Sequence, residues 1–379
     1  MSRKHMKADI FSLTKITYVI VLGASINNLA AGMLEPTVAP YLEILGASSQ
    51  EIGTILSARF LVVAIASLPL ALFASQLGLK RFLYFSAIGT ILGGIILLSI
   101  EGKTAILWFY LAIGFASAIF SGPGVAIIAE NTGTKRIAAF SLFFATWMIP
   151  TALGALISTI WFWDVSEYTP ENLASIFPLT MGVMIGGSVL FILLMLFTNH
   201  NTAKSRSEII TVNSQVPIRN QFQLLFSPVI ALPLTLLIFS EFLSGAGAGS
   251  SLPYLTPYLK SIGATPGQLS ILVFVMNIFM GVATQLSPIL SRYFGDMRVF
   301  AVTMLLSVSC LVGIVFSTNL LISALFFILR GTFANMNAPI TSSRMLTFIE
   351  SRVRATGVAT SSTVRWAGWS IFSPVSGGI

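Results

Sequence analysis

The chain is poor in charge. Of its 379 residues only 9% are Asp, Glu, Lys or Arg, about a third of the roughly 25% in a soluble globular chain. That scarcity excludes a soluble enzyme, a disordered protein and a nucleic-acid-binding domain. Cysteine is almost absent. The single residue, Cys310, sits inside an apolar run, so no disulfide within the chain and no cysteine metal site can form. The two histidines, His5 and His200, lie in polar segments, which argues against a haem or di-metal centre. Neither metal nor cofactor is expected.

What the chain has is apolar length: 55% of its residues are hydrophobic. A membrane helix needs ~20 residues. Runs long enough fall at about 16–42, 52–74, 82–100, 105–129, 137–162, 173–197, 228–258, 269–290, 299–317, 321–345 and 355–379. Helices are the default in lipid, where an open backbone group finds no partner, and the runs lack the alternation of barrel strands. The sequence therefore predicts an all-α polytopic membrane protein with eleven spans. The first run is too long for a signal-peptide core and is read as a retained helix.

The formal net charge is +8, and its placement explains it. Arg3, Lys4, Lys7, Lys15, Lys80, Arg81, Lys135, Arg136, Lys204, Arg206, Arg219, Arg292, Arg298, Arg352 and Arg354 fall on the N-terminal side of the spans. Only Lys103 and Lys260 fall on the other. Fifteen against two predicts a cytoplasmic N-terminus by the positive-inside rule. The basic excess is topology rather than a sign of a nucleic-acid partner. The longest polar stretch, 198–227, reads as a cytoplasmic linker between an N-terminal bundle at 1–197 and a C-terminal bundle at 228–379.

The chain repeats itself. Residues 36–47 read PTVAPYLEILGA and residues 253–264 read PYLTPYLKSIGA. At this offset of 217, Pro36, Pro40, Tyr41, Leu42, Gly46 and Ala47 match Pro253, Pro257, Tyr258, Leu259, Gly263 and Ala264. Gly78 and Arg81 then match Gly295 and Arg298 without a gap. Further on, an offset of 224 aligns Pro150 with Pro374 and Gly154 with Gly378, which pairs span 5 with span 11. Both copies share one orientation, six spans apart. That is a parallel repeat about an axis along the membrane normal, as in secondary transporters.

The loop after span 2 runs Ala71-Leu72-Phe73-Ala74-Ser75-Gln76-Leu77-Gly78-Leu79-Lys80-Arg81-Phe82-Leu83. It resembles the signature of the major facilitator superfamily at Gly78, Lys80 and Leu83. Ser75 and Gln76 stand where that family usually has an Asp-Arg pair, and the second copy, Pro288 to Phe300, keeps Gly295. Glu130 before Lys135-Arg136, and Glu350 before Arg352 and Arg354, are similar to the acid-then-basic elements of the family's cytoplasmic gate. The resemblance covers essentially the whole chain. It implies two pseudo-symmetric six-helix bundles around a central cavity, alternating access, no enzymatic activity and a monomer. The gate residues it implies are Glu130, Lys135, Arg136, Glu350, Arg352, Arg354, Gly78 and Gly295.

An ionisable group at a helix centre costs ~2.5–3.5 kcal/mol on insertion scales, so such groups need a partner or water. Spans 1, 2, 7, 10 and 11 carry Glu35, Arg59, Glu241, Arg330 and Arg365, whereas spans 3, 6 and 9 carry none. In the fold resembled, spans 3, 6, 9 and 12 are peripheral and the rest line the cavity. Depth suggests a Glu35–Arg59 pair and offers Glu241 two cations, Arg330 and Arg365. Glu35 and Glu241 are candidates for binding a proton or a cationic group. The arginines would hold them or an anionic solute, and Asn277 and Asn335 are candidate solute contacts. Bracing ion pairs and helix–helix hydrogen bonds are the competing readings. Trp147 and Trp366 could stack on a ligand. Trp108, Trp161 and Trp163 suit an interfacial aromatic belt. Gly245, Gly247 and Gly249 could serve as hinges or as close-packing points.

The expected function is secondary active transport of a small organic solute, coupled to protons, in the plasma membrane. Leu34-Glu35-Pro36-Thr37-Val38 resembles the acidic span-1 motif of proton-driven drug exporters and tilts the reading toward efflux. The alternatives are a transport-inactive receptor or scaffold, and an importer of an anionic or sugar-like solute. An intramembrane enzyme is disfavoured, because the spans hold no nucleophile motif and no acidic or histidine metal cluster. Ile379 falls within the glycine-rich end of span 11. The expectation is that a twelfth span and a tail complete the intact architecture; a genuine eleven-span protein is the alternative.

Overall fold

The computed structural model describes residues 15–77, 79–119, 136–197, 228–338, 340–341 and 354–378. The eleven expected helices are present. Span 1 is Lys15–Leu34 continued by Val38–Ile44, span 2 is Ser49–Leu77 and span 3 is Leu79–Ser99. Span 4 includes Lys103–Ile119, span 5 is Arg136–Trp161, and span 6 is Pro170–Ala174 followed by Phe177–Phe197. Span 7 is Pro228–Ser261, span 8 Pro266–Phe294, span 9 Asp296–Phe316, span 10 Leu320–Asn335 and span 11 Arg354–Gly377. We call the side where Lys15 begins span 1 the near face, and the opposite side the far face.

Helices of the first half pack on one another, span 1 against 5 and 6, and span 4 against 2 and 3. In the second half span 7 packs on 11, and span 10 on 8 and 9. Spans 2 and 11 and spans 5 and 8 join the halves. Large apolar side chains cover the outside, as lipid contact requires; Leu305 is 69% and Leu321 80% exposed.

Span 1 breaks where its sequence says it must. Pro36 has no N–H to donate and disfavours helical geometry at the residue before it. The chain turns at residues 35–37, where the Thr37 hydroxyl donates to the Leu34 carbonyl at 2.9 Å. Glu35 therefore sits on the break.

The repeat is structural as well as sequential. Gly46 and Gly263 both take positive φ, 73° and 99°, the conformation glycine adopts freely at a helix C-terminus. Ala47 N–H donates to the Leu42 carbonyl and Ala264 N–H to that of Leu259, each at 3.0 Å. The next helix starts on a capping box in both copies, Ser48 with Glu51 and Thr265 with Gln268. All of these pairs keep the offset of 217.

The later offset of 224 does not survive. Gly154 packs midway along span 5 against the Leu29 carbonyl, whereas Gly378 lies beyond the end of span 11. The packing keeps an offset near 217 instead: Gly32 meets the Thr151 carbonyl of span 5, and Gly249 meets the Trp369 carbonyl of span 11. Apolar helices offer many chance glycine matches, and only packing selects the register.

Gly245 and Gly249 of span 7 are packing points, whereas Gly247 faces open space. A Cβ at Gly245 would land on the Arg365 carbonyl oxygen, and one at Gly249 on that of Trp369. Span 7 is one unbroken helix through all three glycines. Small residues four apart let two membrane helices touch backbone to backbone. Gly32 against the Thr151 carbonyl does the same for spans 1 and 5.

Candidate functional site

At the far face the halves are tied together. Glu43 and Lys260 meet at 2.7 Å between Oε2 and Nζ. The Lys260 ammonium also stands 5.1 Å from the centre of the Tyr168 ring, within cation–π range. Tyr168 comes from the loop between spans 5 and 6, and its hydroxyl donates to the Ala264 carbonyl at 2.6 Å. Burial, and then the Glu43 charge, push its phenol above the usual range, so it remains a donor. Ser158 and Ser270 share a hydrogen bond of 3.1 Å between spans 5 and 8. Ser373 of span 11 donates to the Gly53 carbonyl of span 2 at 3.0 Å and accepts from Tyr254 of span 7. All these contacts lie toward the far face. Deeper, Phe60 of span 2 stacks on Trp366 of span 11, with ring centres 4.6 Å apart.

Below this layer lie the membrane charges. Glu241 and Arg365 form the ion pair of the second half, Nε to Oε2 at 3.3 Å. Glu241 is buried, while the Arg365 side chain is 41% exposed. The Gly245–Arg365 backbone contact sits one helical turn along and fixes the spacing of the two helices. Arg330, the other cation offered to Glu241, goes elsewhere: its Nη2 donates to the Ser251 hydroxyl at 3.3 Å.

The expected Glu35–Arg59 pair does not form. No ion pair joins the two side chains, and the buried Arg59 Nε has no hydrogen-bond partner among the described residues. Glu35 still donates its N–H to the Ala31 carbonyl at 2.9 Å and is exposed at the break, and helical depth alone does not give the direction of its side chain. Asn277 and Asn335 both donate to their own helices, to the Val273 carbonyl at 2.9 Å and the Gly331 carbonyl at 3.0 Å. Trp366 is engaged by Phe60, whereas Trp147 is exposed. Trp108, Trp161 and Trp163 are exposed near the far face.

Of the gate residues, Gly78, Glu130, Lys135, Glu350 and Arg352 lie outside the described residues. Arg136 and Arg354 open spans 5 and 11. Gly295 links spans 8 and 9 with φ of 83°.

Sequence reasoning passed over Glu43, Lys260 and Tyr168. A signal was available, because Glu43 plus 217 is Lys260. The two carry opposite charge at one position of the repeat.

The family model described as Major Facilitator Superfamily matches residues 20–373. Among solved structures, a D-xylose–proton symporter has a TM-score of 0.73 at 12% identity, covering 95% of this chain and 89% of that one. The nucleoside transporter NupG gives 0.64 at 15%, with 96% and 91% covered. A bacterial homologue of the human lysosomal transporter Spinster, inward-facing and unoccupied, gives 0.67 at 14%, with 99% and 82% covered. At such identities the likeness is one of fold. No curated protein matches the chain by sequence.

Proposed function

Because the chain belongs to the Major Facilitator Superfamily, we propose that it is a secondary active transporter, moving a small organic solute by alternating access and coupled to protons. The observation that carries this reading is the Glu241–Arg365 pair. A carboxylate buried at mid-span costs free energy unless it is paired. The Arg365 side chain is 41% exposed, so it can leave Glu241 without becoming a buried, unpaired cation. Glu35, exposed on a broken helix, is a second proton acceptor, and its motif favours export.

In this reading the near face is cytoplasmic, the bundles are 1–197 and 228–379 with 198–227 as their linker, and the membrane is the plasma membrane. The far-face ties describe a state closed to the outside. Glu130, Lys135, Arg136, Glu350, Arg352 and Arg354, with the loop glycines Gly78 and Gly295, would close the opposite side in turn. Asn277 and Asn335 could turn from their own helices to a solute at little cost, since such hydrogen bonds are worth less than ~2 kcal/mol.

The test is solute flux into proteoliposomes under an imposed pH gradient. Wild-type protein is expected to accumulate or expel solute in response to the gradient. Glu241→Gln and Glu35→Gln should reduce that response. If both leave it intact, the coupling assignment is wrong. If no solute moves at all, a receptor or scaffold replaces the transporter.

A further inference from the structure

Among the described residues, Arg330 and Arg365 lie inside the spans of the second half, and of these two Arg365 has an anion. Glu241 is committed to Arg365 at 3.3 Å. Arg330 is buried, 9% exposed, and its one side-chain partner among the described residues is the neutral hydroxyl of Ser251. That hydroxyl is itself donated to the Gly247 carbonyl. It can therefore accept from Arg330 but cannot neutralise it. Among the described residues no acidic side chain forms an ion pair with Arg330, and Glu241 is held by Arg365.

A guanidinium cannot shed its proton to escape this position. A buried, unpaired charge is costly, and apolar packing would serve the fold better. Among the described residues, four of its five N–H donors have no partner. They form the planar fork that binds a carboxylate or phosphate with two parallel hydrogen bonds.

Spans 7 and 10 bring the two side chains together at one level. Arg330 lies ten residues after the start of span 10, and Ser251 ten before the end of span 7. Both are thus at one depth, about 15 Å from the far face at 1.5 Å per residue. Gly331 packs against Met276 of span 8 and the Ser307 hydroxyl holds the Arg330 carbonyl, so the backbone is fixed on both sides.

We propose that Arg330 and Ser251 form an anion subsite, at which the transported solute supplies the missing counter-charge through a carboxylate or phosphate group. This deepens the transporter reading by naming the chemical class of the solute, and it rests on that reading only for the word transported.

The test separates binding from transport. Purified full-length protein is heated with succinate, with inorganic phosphate, and with chloride at matched ionic strength. Wild type should be stabilised by succinate or phosphate beyond chloride, since a ligand of the native state raises Tm by mass action. The probe that shifts Tm tells carboxylate from phosphate recognition. Arg330→Gln should lose that shift, with affinity falling about tenfold or more. Arg330→Lys, which keeps the charge but not the fork, should retain part of it. Without anion, Arg330→Gln should melt no lower than wild type, because it removes an unpaired buried charge. The proposal is overturned if neither probe shifts wild type, if Arg330→Gln responds as wild type does, or if Arg330→Gln melts lower in the absence of anion. Anion binding without flux would sink the transporter reading alone.

Discussion

Glu43 and Lys260 occupy the same position in the two copies of the repeat, 217 residues apart, and their side chains meet at 2.7 Å. Equivalent positions touch only beside the axis that relates the two halves. Identical residues there would repel or stay neutral. Divergence of the copies has placed opposite charges on the axis, and so the pair ties the two halves where they must part for the far face to open.

The pair should act on conformation more than on stability. Both side chains are partly exposed, at 43% and 20%, so the contact is worth ~0.2–1 kcal/mol. Glu43→Lys should therefore shift the protein about two- to fivefold toward a state open at the far face. Glu43→Lys with Lys260→Glu should shift it back. Accessibility of a cysteine placed in the far-face loops, in a Cys310→Ala background, measures this. Equal accessibility in the single and double variants would contradict it.

Tyr168 acts on the same side through two separable contacts. Tyr168→Phe keeps the ring beside Lys260 and loses the bond to the Ala264 carbonyl, worth ~0.5–1.5 kcal/mol. Tyr168→Ala loses both and should open the far face further. The same accessibility measurement ranks the two.

Gly245 and Gly247 should respond oppositely to alanine. A Cβ at Gly245 meets the Arg365 carbonyl, whereas nothing lies within 4 Å of one at Gly247. Gly245→Ala should destabilise by about 1–3 kcal/mol through overpacking. Gly247→Ala should be neutral or slightly stabilising, by up to ~1 kcal/mol of helix propensity. Thermal unfolding in detergent checks both, and equal effects would contradict the close-packing assignment.

Glu241→Gln leaves Arg365 without its anion. Breaking a wholly buried pair costs ~3–5 kcal/mol. The cost here should be smaller, because the Arg365 side chain is 41% exposed. Adding Arg365→Gln should recover part of it, which a double-mutant cycle in Tm will show.

The sequence carried the architecture because its signals are strong and local. Apolar runs, loop arginines and lysines, and the 217-residue offset each reflect a constraint that acts on nearly every residue it touches. Pro36, Gly46 and Gly263 announce a break and two helix ends by backbone chemistry alone. Signals that depend on a distant neighbour were harder to read. Hinge and close contact use the same glycines, and only the carbonyl of Arg365 facing Gly245 decides between them. The Glu35–Arg59 pair was inferred from depth, which says nothing about the direction a side chain takes after a proline break. The choice of Arg365 over Arg330 by Glu241 likewise turns on which helices touch. Glu43 and Lys260 were legible in principle, yet their meeting follows only once the repeat axis is placed between them.

Alternating access requires spans 5 and 8 to separate at the far face. Ser158 and Ser270 stand 3.1 Å apart there, hydroxyl to hydroxyl, close enough for the pair Ser158→Cys and Ser270→Cys to be bridged. With Cys310→Ala removing the native thiol, solute flux through proteoliposomes should stop when this bridge is oxidised and return when it is reduced. Undiminished flux through fully bridged protein would contradict the account.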